Sequence, residues 1–289
     1  MINMKYILLL FFTLPIIGIG QKDTLVNTSR KNLRKNMPSY INISAGKSRS
    51  SFRDFGTSPL TYKGTPNFIA ISRSRQNEQK EFEIGSFYSF GDFKVDYNEH
   101  KSTSKLQSLS IYYSQLYRVK KLSTEKLTTK VGGLFNTTGN LRNNASLQNN
   151  ALGREIIATL FGSAKVSWDI SRNQAKSKKI LFFNYHLKPK TRHLDYRLNI
   201  GLINSALRNG YAYIGQSSVL NDPKVFEGYK YNLFSGFRLS SAVDYTVLLK
   251  NNNSLQLSYL WDAYKTGGKF DQLEMASHTI KATLMFNYK

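Results

Sequence analysis

The sequence predicts an all-β protein: a transmembrane, antiparallel, up-and-down β-barrel of about 12 strands, with about 10–14 possible. Three observations predict this fold. An apolar N-terminal run indicates export, the rest of the chain alternates apolar and polar residues with period two, and many alternating segments run for about 9–12 residues. A tilted strand needs about that length to cross the hydrocarbon layer of a bilayer.

The N-terminal segment has the three parts of a cleavable secretory signal. Met1 to Lys5 form a short head with one positive charge, and an almost unbroken apolar run follows over 6–19. Small residues end the run at Gly18 and Gly20, so we expect Sec-type export with cleavage near Gly20. The run is shorter than the roughly 20 residues of a transmembrane helix, and an uncleaved N-terminal anchor is the alternative.

Two further segments follow the signal over residues 1–20. Residues 21–38 are polar and basic, as expected of a flexible periplasmic lead-in, and residues 39–289 carry the alternating pattern of the outer-membrane β-barrel. The chain has no Cys, which excludes a lipoprotein anchor. A closed sheet in a bilayer does not need disulfides, because every strand edge in it is paired.

The chain is strongly basic, with 41 Lys and Arg residues against 18 Asp and Glu. In a cytosolic protein this excess would indicate nucleic-acid binding, but the export signal argues against a nucleic-acid partner. In an outer membrane the same charge meets anionic headgroups and lipopolysaccharide phosphates, or it simply solvates loops and turns. We therefore expect outer-membrane lipid and lipopolysaccharide as partners, and no nucleic acid.

The period-two alternation is clear over 154–170 and again over 193–203. In the first segment Ile156 and Trp168 share an apolar face, while Lys165 lies on the polar face. Two architectures fit such a pattern: a soluble sandwich turns the apolar face inward, and a transmembrane barrel turns it toward lipid. Strand length favours the barrel. Tyr residues near strand ends, where interfacial girdles form, favour it too: Tyr97, Tyr117, Tyr185, Tyr229 and Tyr264.

Twelve segments are predicted as strands, an even number that places both termini at one end of the barrel. They are 39–49, 66–74, 81–97, 105–120, 125–136, 154–170, 179–188, 192–204, 228–238, 241–250, 254–265 and 274–288. The weakest assignment is 228–250, whose unbroken parity also fits one long strand. In this count 205–227 falls on the periplasmic side, where connections are normally short, and 137–153 becomes an external loop.

The C-terminal segment ends inside a predicted strand. Ile280, Phe286 and Tyr288 share one face, and the chain ends at Lys289. This segment resembles the final strand of outer-membrane barrels of Gram-negative bacteria, which carries alternating apolar residues and an aromatic residue at or near its end. The resemblance implies that the barrel-assembly machinery reads this strand, although the trailing Lys289 departs from the commonest form. The Lys-, Asn- and Tyr-rich composition, with Gln21 at the expected cleavage site, is similar to that of Bacteroidota proteins.

Charged and His residues on the polar strand faces are the candidates for lining the lumen. They are Lys165, His186, Lys188, His193, Asp195, Arg197, Lys230, Arg238 and Lys281. This set carries a positive excess, which predicts a porin-like channel whose cation-rich lumen favours anions. The alternative is a lumen filled by paired side chains, such as Asp195 with Arg197 or a neighbour, and therefore closed.

No catalytic motif is present in the sequence. It lacks a nucleophile elbow, a phosphate-binding loop and zinc-binding His spacing. Outer-membrane phospholipase, a barrel of similar length, uses a His and a Ser two positions apart, and no His here has such a Ser, so its catalytic residues are not carried over. His193 and Asp195 share a face, where a hydrogen-bonded pair that supports the barrel is favoured over a general base. We expect no enzyme activity, no cofactor and no metal.

Two other roles stay open beside the channel. The first is a non-enzymatic accessory or structural subunit of an outer-membrane secretion or uptake complex. The basic lead-in over 21–38 and the long loops favour it, because they offer surfaces to other outer-membrane subunits. The second, ranked lowest, is a lipid-modifying barrel enzyme.

Overall fold

The computed structural model describes residues 37–97, 100–180, 183–209, 229–268 and 271–288. The predicted signal over 1–20 and nearly all of the lead-in over 21–38 lie outside these residues. Within the described chain, no helix is long and apolar enough to cross a membrane. Apart from short 3-10 turns over 120–122 and 145–150, every regular element described is a β-strand.

The described residues form 14 strands, several of them longer than predicted. Their bounds are β1 Ser39–Asp54, β2 Ser58–Gly64, β3 Asn67–Gln76, β4 Lys80–Tyr97, β5 His100–Arg118, β6 Leu127–Asn143, β7 Leu152–Asp169, β8 Lys176–Ile180, β9 Phe183–Leu187, β10 Arg192–Asn209, β11 Tyr229–Asn232, β12 Phe237–Leu248, β13 Ser254–Lys265 and β14 Leu273–Asn287. Strands β4 and β5 have 18 and 19 residues. Because about 9–11 tilted residues cross the hydrocarbon layer, these strands extend well beyond it.

Ten strand positions close into an antiparallel barrel. Around the barrel the order is β1, β2 with β3, β4, β5, β6, β7, β10, β11 with β12, β13 and β14. β2 and β3 are consecutive parts of one position between β1 and β4, and β11 and β12 are consecutive parts of one position beside β10. The barrel closes where β14 pairs with β1, from Tyr40 opposite Asn287 to Asp54 opposite Leu273.

The predicted fold class is confirmed, and the number of barrel strands lies at the lower end of the predicted range. Two assignments explain the difference from twelve. The predicted strand 179–188 belongs to a separate two-stranded hairpin of β8 and β9, outside the barrel sheet. The predicted strands 228–238 and 241–250 share one interrupted position, which is the alternative that their parity left open. The interruption contains Phe234 and Gly236, whose φ angles are 55° and 74°.

Strand β1 begins and strand β14 ends at the same end of the barrel, which we call the terminus end; the opposite end is the far end. With ten strands, β10 ends and β11 begins at the far end, opposite to the side predicted for 205–227; residues 205–209 belong to β10, and 210–228 lie outside the described residues. The predicted loop over 137–153 is mostly strand, because β6 continues to Asn143 and β7 begins at Leu152. The hairpin of β8 and β9 belongs to a connection at the terminus end.

The apolar strand faces lie outside the barrel and the polar faces line its interior. Ile43, Ile111 and Ile280 are 51%, 57% and 61% exposed. The inward Ser44 and Thr283 are buried, and their hydroxyl groups share a hydrogen bond of 2.8 Å across the closing seam. A soluble sandwich has the reverse arrangement. The structure therefore has the inside-out order of a transmembrane barrel.

The outer surface carries an uncharged belt. On β5 the exposed outward residues Leu109, Ile111 and Tyr113 lie in this belt, and the first outward charge toward the far end is Lys105. A Lys or Arg on the lipid face costs about 2–4 kcal/mol at the bilayer midplane and about 0–1 kcal/mol near the interface. The position of the charges along the strand is therefore the one that a bilayer favours.

Candidate functional site

The lumen has two halves of different character. Toward the far end it is filled by packed side chains, whereas toward the terminus end it encloses a cavity of about 470 Å³. The cavity extends to the terminus-end turns, where the side chain of Glu78 is 82% exposed. Within the described residues, the lumen therefore opens at the terminus end and is filled by side chains at the far end.

An apolar layer fills the far half of the lumen. Its buried members come from eight strands: Phe52, Tyr62, Phe93, Leu106, Ile157, Ala206, Tyr264 and Leu273. The ring of Phe52 stacks on Tyr62 and contacts Phe93 at an angle, with centroid distances of 5.1 and 5.2 Å. Because these strands lie on all sides of the barrel, the layer spans the lumen from wall to wall.

A buried ion-pair network, which we call the far network, lies beside the apolar layer. Arg208 Nη2 lies 2.7 Å from Asp54 Oδ1, and Arg142 bonds both Asp54 and Glu155. The four side chains are at most 6% exposed. The Arg142 guanidinium also lies over the ring of Phe52, at 5.4 Å. Since a buried charge is tolerated when it is paired, the far network ties β1, β6, β7 and β10 together across the lumen.

Arg238 marks the boundary between the packed half and the cavity. Its guanidinium donates to Asp262 Oδ2 at 2.7 Å and to Thr138 Oγ1 at 3.1 Å. It also lies over the rings of Phe161 and Tyr264, at 5.7 and 5.2 Å. Tyr264, which the sequence placed in an interfacial girdle, therefore faces the lumen and packs there.

A second charged cluster lies in the cavity wall around Glu81. The Glu81 carboxylate lies 2.6 Å from Arg197, 3.0 Å from Lys165 and 3.4 Å from Lys130. Lys165 also lies 3.0 Å from Asp195. These residues come from β4, β6, β7 and β10, which share that wall of the barrel. Because each cation faces a carboxylate, the cluster leaves little uncompensated positive charge.

The cavity is not the cation-rich lumen that the sequence predicted. Among the described residues, six Lys or Arg, one His and eight Asp or Glu line it. The sequence-based candidates omitted Glu81, Glu83, Asp244 and Asp262, whose carboxylates offset the predicted cations. These acidic residues lie on the same inward strand faces as the cations. The period-two pattern that identified the cations therefore also places these acidic residues in the lumen.

Six of the nine lumen candidates line the cavity: Lys165, His193, Asp195, Arg197, Arg238 and Lys281. The other three lie elsewhere. His186 lies in β9 and Lys188 directly follows that strand, so both belong to the hairpin region outside the barrel sheet. Lys230 lies in the short strand β11, opposite Arg208, and is exposed instead of lining the cavity.

The hydrogen-bonded pair of His193 and Asp195 that the sequence favoured is not formed among the described residues. His193 lies opposite Asp169 in register, and Asp195 bonds Lys165. Residues two positions apart on one strand are separated by about 7 Å, whereas cross-strand neighbours approach within about 5 Å. Lys165, diagonal to Asp195 on the neighbouring strand, reaches the carboxylate through its long side chain.

The far network was missed by sequence reasoning. Asp54, Arg142 and Arg208 lie beyond the predicted ends of their strands, and Glu155 was placed on a polar face without a partner. Continuing the same parity toward the far end brings Asp54, Arg142 and Glu155 inward, whereas Arg208 turns inward because the register of β10 shifts between Gly201 and Ile203. The sequence analysis underestimated the length of these strands, because the strands continue past the part that crosses the hydrocarbon layer.

Hydrogen bonds and ion pairs are the interactions that the cavity offers to a ligand. Among the described residues, no group of three or more His, Asp or Glu side chains is arranged to hold a metal ion. Several buried polar atoms have no hydrogen-bond partner there, including Asp195 Oδ1, Asn199 Oδ1 and Ser258 Oγ. Such atoms favour a bound polar molecule, because an unsatisfied buried group costs about 1–3 kcal/mol.

A closed antiparallel sheet with an apolar outer surface and a polar lumen defines the class of the protein: it is an outer-membrane β-barrel of the Gram-negative type. No protein-family model and no curated protein matches the chain.

Among solved structures, the chain is similar to the transport unit of the autotransporter AIDA-I from Escherichia coli, with 11% identity, a TM-score of 0.40 and 94% of each chain covered. It is also similar to the translocator domain of the autotransporter NalP from Neisseria meningitidis, with 9% identity, a TM-score of 0.38, and 91% of this chain and 95% of that chain covered. For the P. putida toluene transporter TodX the values are 9% identity, a TM-score of 0.30, and 88% and 91% coverage. Similarity at this level does not assign a role.

Proposed function

We propose that this protein is a closed, non-enzymatic barrel that serves as a structural or accessory subunit of an outer-membrane complex. The observation that carries the proposal is the packed far half of the lumen. A solute that enters from the terminus end meets the apolar layer and the far network before it reaches the far end. A continuous aqueous path requires both to move.

Opening such a path is energetically unfavourable. Separating Arg208 from Asp54, which are 1% and 2% exposed, leaves a buried charge with fewer partners. Breaking a buried pair of this kind costs about 3–5 kcal/mol. Since about 1.4 kcal/mol corresponds to a tenfold change in population, an open state would be populated at less than about 1%.

The porin-like channel is the competing proposal, and the polar cavity at the terminus end favours it. Planar-bilayer recording distinguishes the two. We expect no conductance steps from the wild-type barrel, and we expect steps from a variant that combines Phe93→Ala with Arg208→Ala. An outward substitution, Lys105→Ala, is the matched control and should stay silent. Uniform steps from the wild-type protein would refute the closed barrel.

A basic connection at the terminus end supports the role as a subunit. Residues 170–191 contain six Lys or Arg residues and no Asp or Glu, and they include the hairpin of β8 and β9. Turns on the periplasmic side of outer-membrane barrels are normally short, so a hairpin there adds a surface that the barrel itself does not need. We expect mild-detergent purification to yield a stoichiometric partner, and replacement of 173–189 by a short Gly-Ser turn to remove it. A wild-type barrel that purifies alone would contradict this role.

Outer-membrane lipid with phosphate headgroups is a further proposed partner. Immediately beyond the apolar belt, toward the far end, outward cations stand on four adjacent strand positions: Lys47, Arg49, Lys63, Lys94 and Lys105. Lys63 and Lys94 lie directly opposite each other. A basic residue near an anionic lipid surface contributes about 1 kcal/mol. Vesicles with phosphorylated lipid A are expected to raise the unfolding temperature above that in dephosphorylated lipid A, and the double variant Lys63→Glu with Lys94→Glu should abolish the difference.

The proposal includes export by a Sec-type signal and assembly by the barrel-assembly machinery. Assembly through the last strand is supported by the pairing of β14 with β1, since the final strand completes the closed sheet. Sequencing the N-terminus of the protein from outer-membrane fractions should give a start near Gln21. A start at Met1 would support the uncleaved anchor instead.

A further inference from the structure

One row of residues across the cavity wall holds incompletely satisfied groups of both charges. In register, Lys281 of β14 lies opposite Ser258 of β13, Ser258 lies opposite Asp244 of β12, and Asp244 lies opposite Asp195 of β10. All four residues line the cavity. Because neighbouring strands are about 4.8 Å apart, the backbones at Lys281 and Asp244 are separated by roughly 10 Å.

The positive group of this row lacks a carboxylate partner. Among the described residues Lys281 makes no ion pair, and its ammonium lies 5.9 Å from the ring centroid of Phe68. Gly46, opposite Lys281, leaves room for the Lys stem, because a Cβ there would stand 2.8 Å from Lys281 Cβ. The ammonium therefore points away from Asp244 and toward an aromatic wall that continues from Phe68 to Phe87, with ring centroids 5.3 Å apart.

The negative groups of the row are incompletely satisfied. Asp244 makes no hydrogen bond or ion pair within the described part of the chain, although Lys165 and Arg197 are within electrostatic reach of it. Asp195 is 8% exposed and uses Oδ2 for Lys165, while Oδ1 has no partner. These two carboxylates are direct cross-strand neighbours, so they form one acidic patch.

A hydroxyl group lies between the two charges. Ser258 is 2% exposed, and its Oγ has no hydrogen-bond partner in the described structure. Buried polar groups are normally hydrogen-bonded, and one that is unpartnered beside a cavity is satisfied by whatever occupies the cavity. The order along the row is thus cation, hydroxyl, carboxylate, carboxylate.

We propose that this row binds a small zwitterion, a short peptide with free termini, which enters from the terminus end. Its carboxylate is held by Lys281, its ammonium by Asp244 and Asp195, and a backbone group between them by Ser258. An extended peptide spans about 3.4 Å per residue, so about three residues match the separation of roughly 10 Å between the backbones at Lys281 and Asp244. The cavity of about 470 Å³ lies within the usual range of ligand pockets, roughly 300–1,000 Å³.

Titration calorimetry on the full-length mature barrel in detergent micelles tests the proposal, with trialanine as the probe. Blocking either terminus, as in N-acetyl-trialanine or trialanine amide, is expected to weaken binding to the wild-type barrel by about tenfold or more. Lys281→Met should bind trialanine and its amide equally, and Asp244→Asn should bind the free and acetylated peptides equally. Lys101→Met, on the outer face of β5, should behave as wild type.

The outcome that overturns the proposal is a wild-type barrel that binds trialanine no better than the blocked peptides, or does not bind it at about 10 mM. Folding of each variant is checked by heat-modifiable mobility on gels. If a variant does not fold, the comparison of free and blocked peptides on the wild-type barrel still decides. The result is separable from the closed-barrel proposal, because a barrel that conducts can still distinguish the peptides and a silent one can fail to do so.

Discussion

The inside-out order of the barrel predicts that a charge on its outer face is tolerated at one depth and not at another. Ile111 is 57% exposed, faces outward on β5 and lies between Leu109 and Tyr113 in the uncharged belt. We expect Ile111→Arg to place a guanidinium near the bilayer midplane and to lower the free energy of unfolding by about 2–4 kcal/mol. That change corresponds to a shift of about 30- to 700-fold in the folding equilibrium.

A matched control lies on the same strand and the same face. Thr103 stands eight positions from Ile111 toward the far end, which is roughly 26 Å along the strand. With a tilt of about 45°, this is roughly 19 Å along the membrane normal, beyond the half-thickness of about 15 Å of the hydrocarbon core. Thr103→Arg should therefore cost about 0–1 kcal/mol, the value for the interface.

The free energy of unfolding of both variants is measured by guanidinium chloride denaturation in phosphatidylcholine vesicles, with Trp fluorescence as the signal. Trp168 is 53% exposed on the outer face, so its emission shifts to longer wavelength when the barrel leaves the lipid. Equal losses of stability in the two variants would refute the depth argument. A mature chain that stays soluble and monomeric without detergent would refute the inside-out assignment itself.

Three further substitutions test the lumen and the closing seam. Arg208→Ala should lower the unfolding free energy by about 3–5 kcal/mol in the same vesicle assay, because Asp54 stays buried with one partner fewer; a loss below about 1 kcal/mol would argue against the far network. Gly46→Ala should lower the temperature of the heat-induced gel shift, since the new Cβ would clash with the Ile280 carbonyl oxygen. Gly139→Ala is its control, because the nearest atom there is 3.9 Å away and the shift temperature should not change. Arg53→Ala removes a partly exposed ion pair of 2.7 Å with Glu274. It should lower the free energy of unfolding by less than about 1 kcal/mol, the range that double-mutant cycles give for exposed pairs.

The sequence predicted the fold class because lipid and lumen impose opposite demands on alternate residues. Ile280 and Phe286 are exposed on the outer face of β14, and the intervening Thr283 is buried on its inner face, as the period-two pattern requires. Such a pattern reports which face a residue takes, and it does so for every strand independently. It carries no information on which strands are neighbours, so the hairpin of β8 and β9 looked like part of the barrel.

Strand boundaries were the part of the fold that the sequence predicted least accurately. The predicted strand ended at position 49, whereas β1 continues to Asp54. Beyond the belt the outward positions become Arg49 and Arg53, so the apolar face that marks a lipid-facing strand disappears. The inward positions continue to alternate there, with Phe52 in the apolar layer and Asp54 in the far network. A prediction that follows the inward face alone would recover this extension.

The candidate site was predicted in part for a related reason. Lys165 and Arg197 were placed on inward faces from their parity, and both line the cavity. Their partner Glu81 stands at the first position of a predicted strand and comes from β4, three strand positions from β7. Partnership between strands that are not neighbours depends on the curvature of the sheet, and no local sequence pattern encodes that. Cations were therefore counted without the carboxylates that face them.

The distribution of charge follows from the cost of burial. Of the 18 Asp and Glu residues in the chain, eight line the cavity, and Asp54 and Glu155 lie in the far network. A Lys or Arg that is buried inside the barrel is stabilised by a carboxylate, since an unpaired buried charge costs several kcal/mol, whereas a cation outside the belt is solvated or meets lipid phosphate. The acidic residues are therefore concentrated where cations are buried, and most of the net charge of +23 is left for the outer surface and the connections. On this reasoning the basic character of the chain describes its surroundings and not its lumen. A cavity with an unpaired cation at Lys281 and incompletely satisfied carboxylates at Asp244 and Asp195 is therefore better suited to a zwitterion than to an anion.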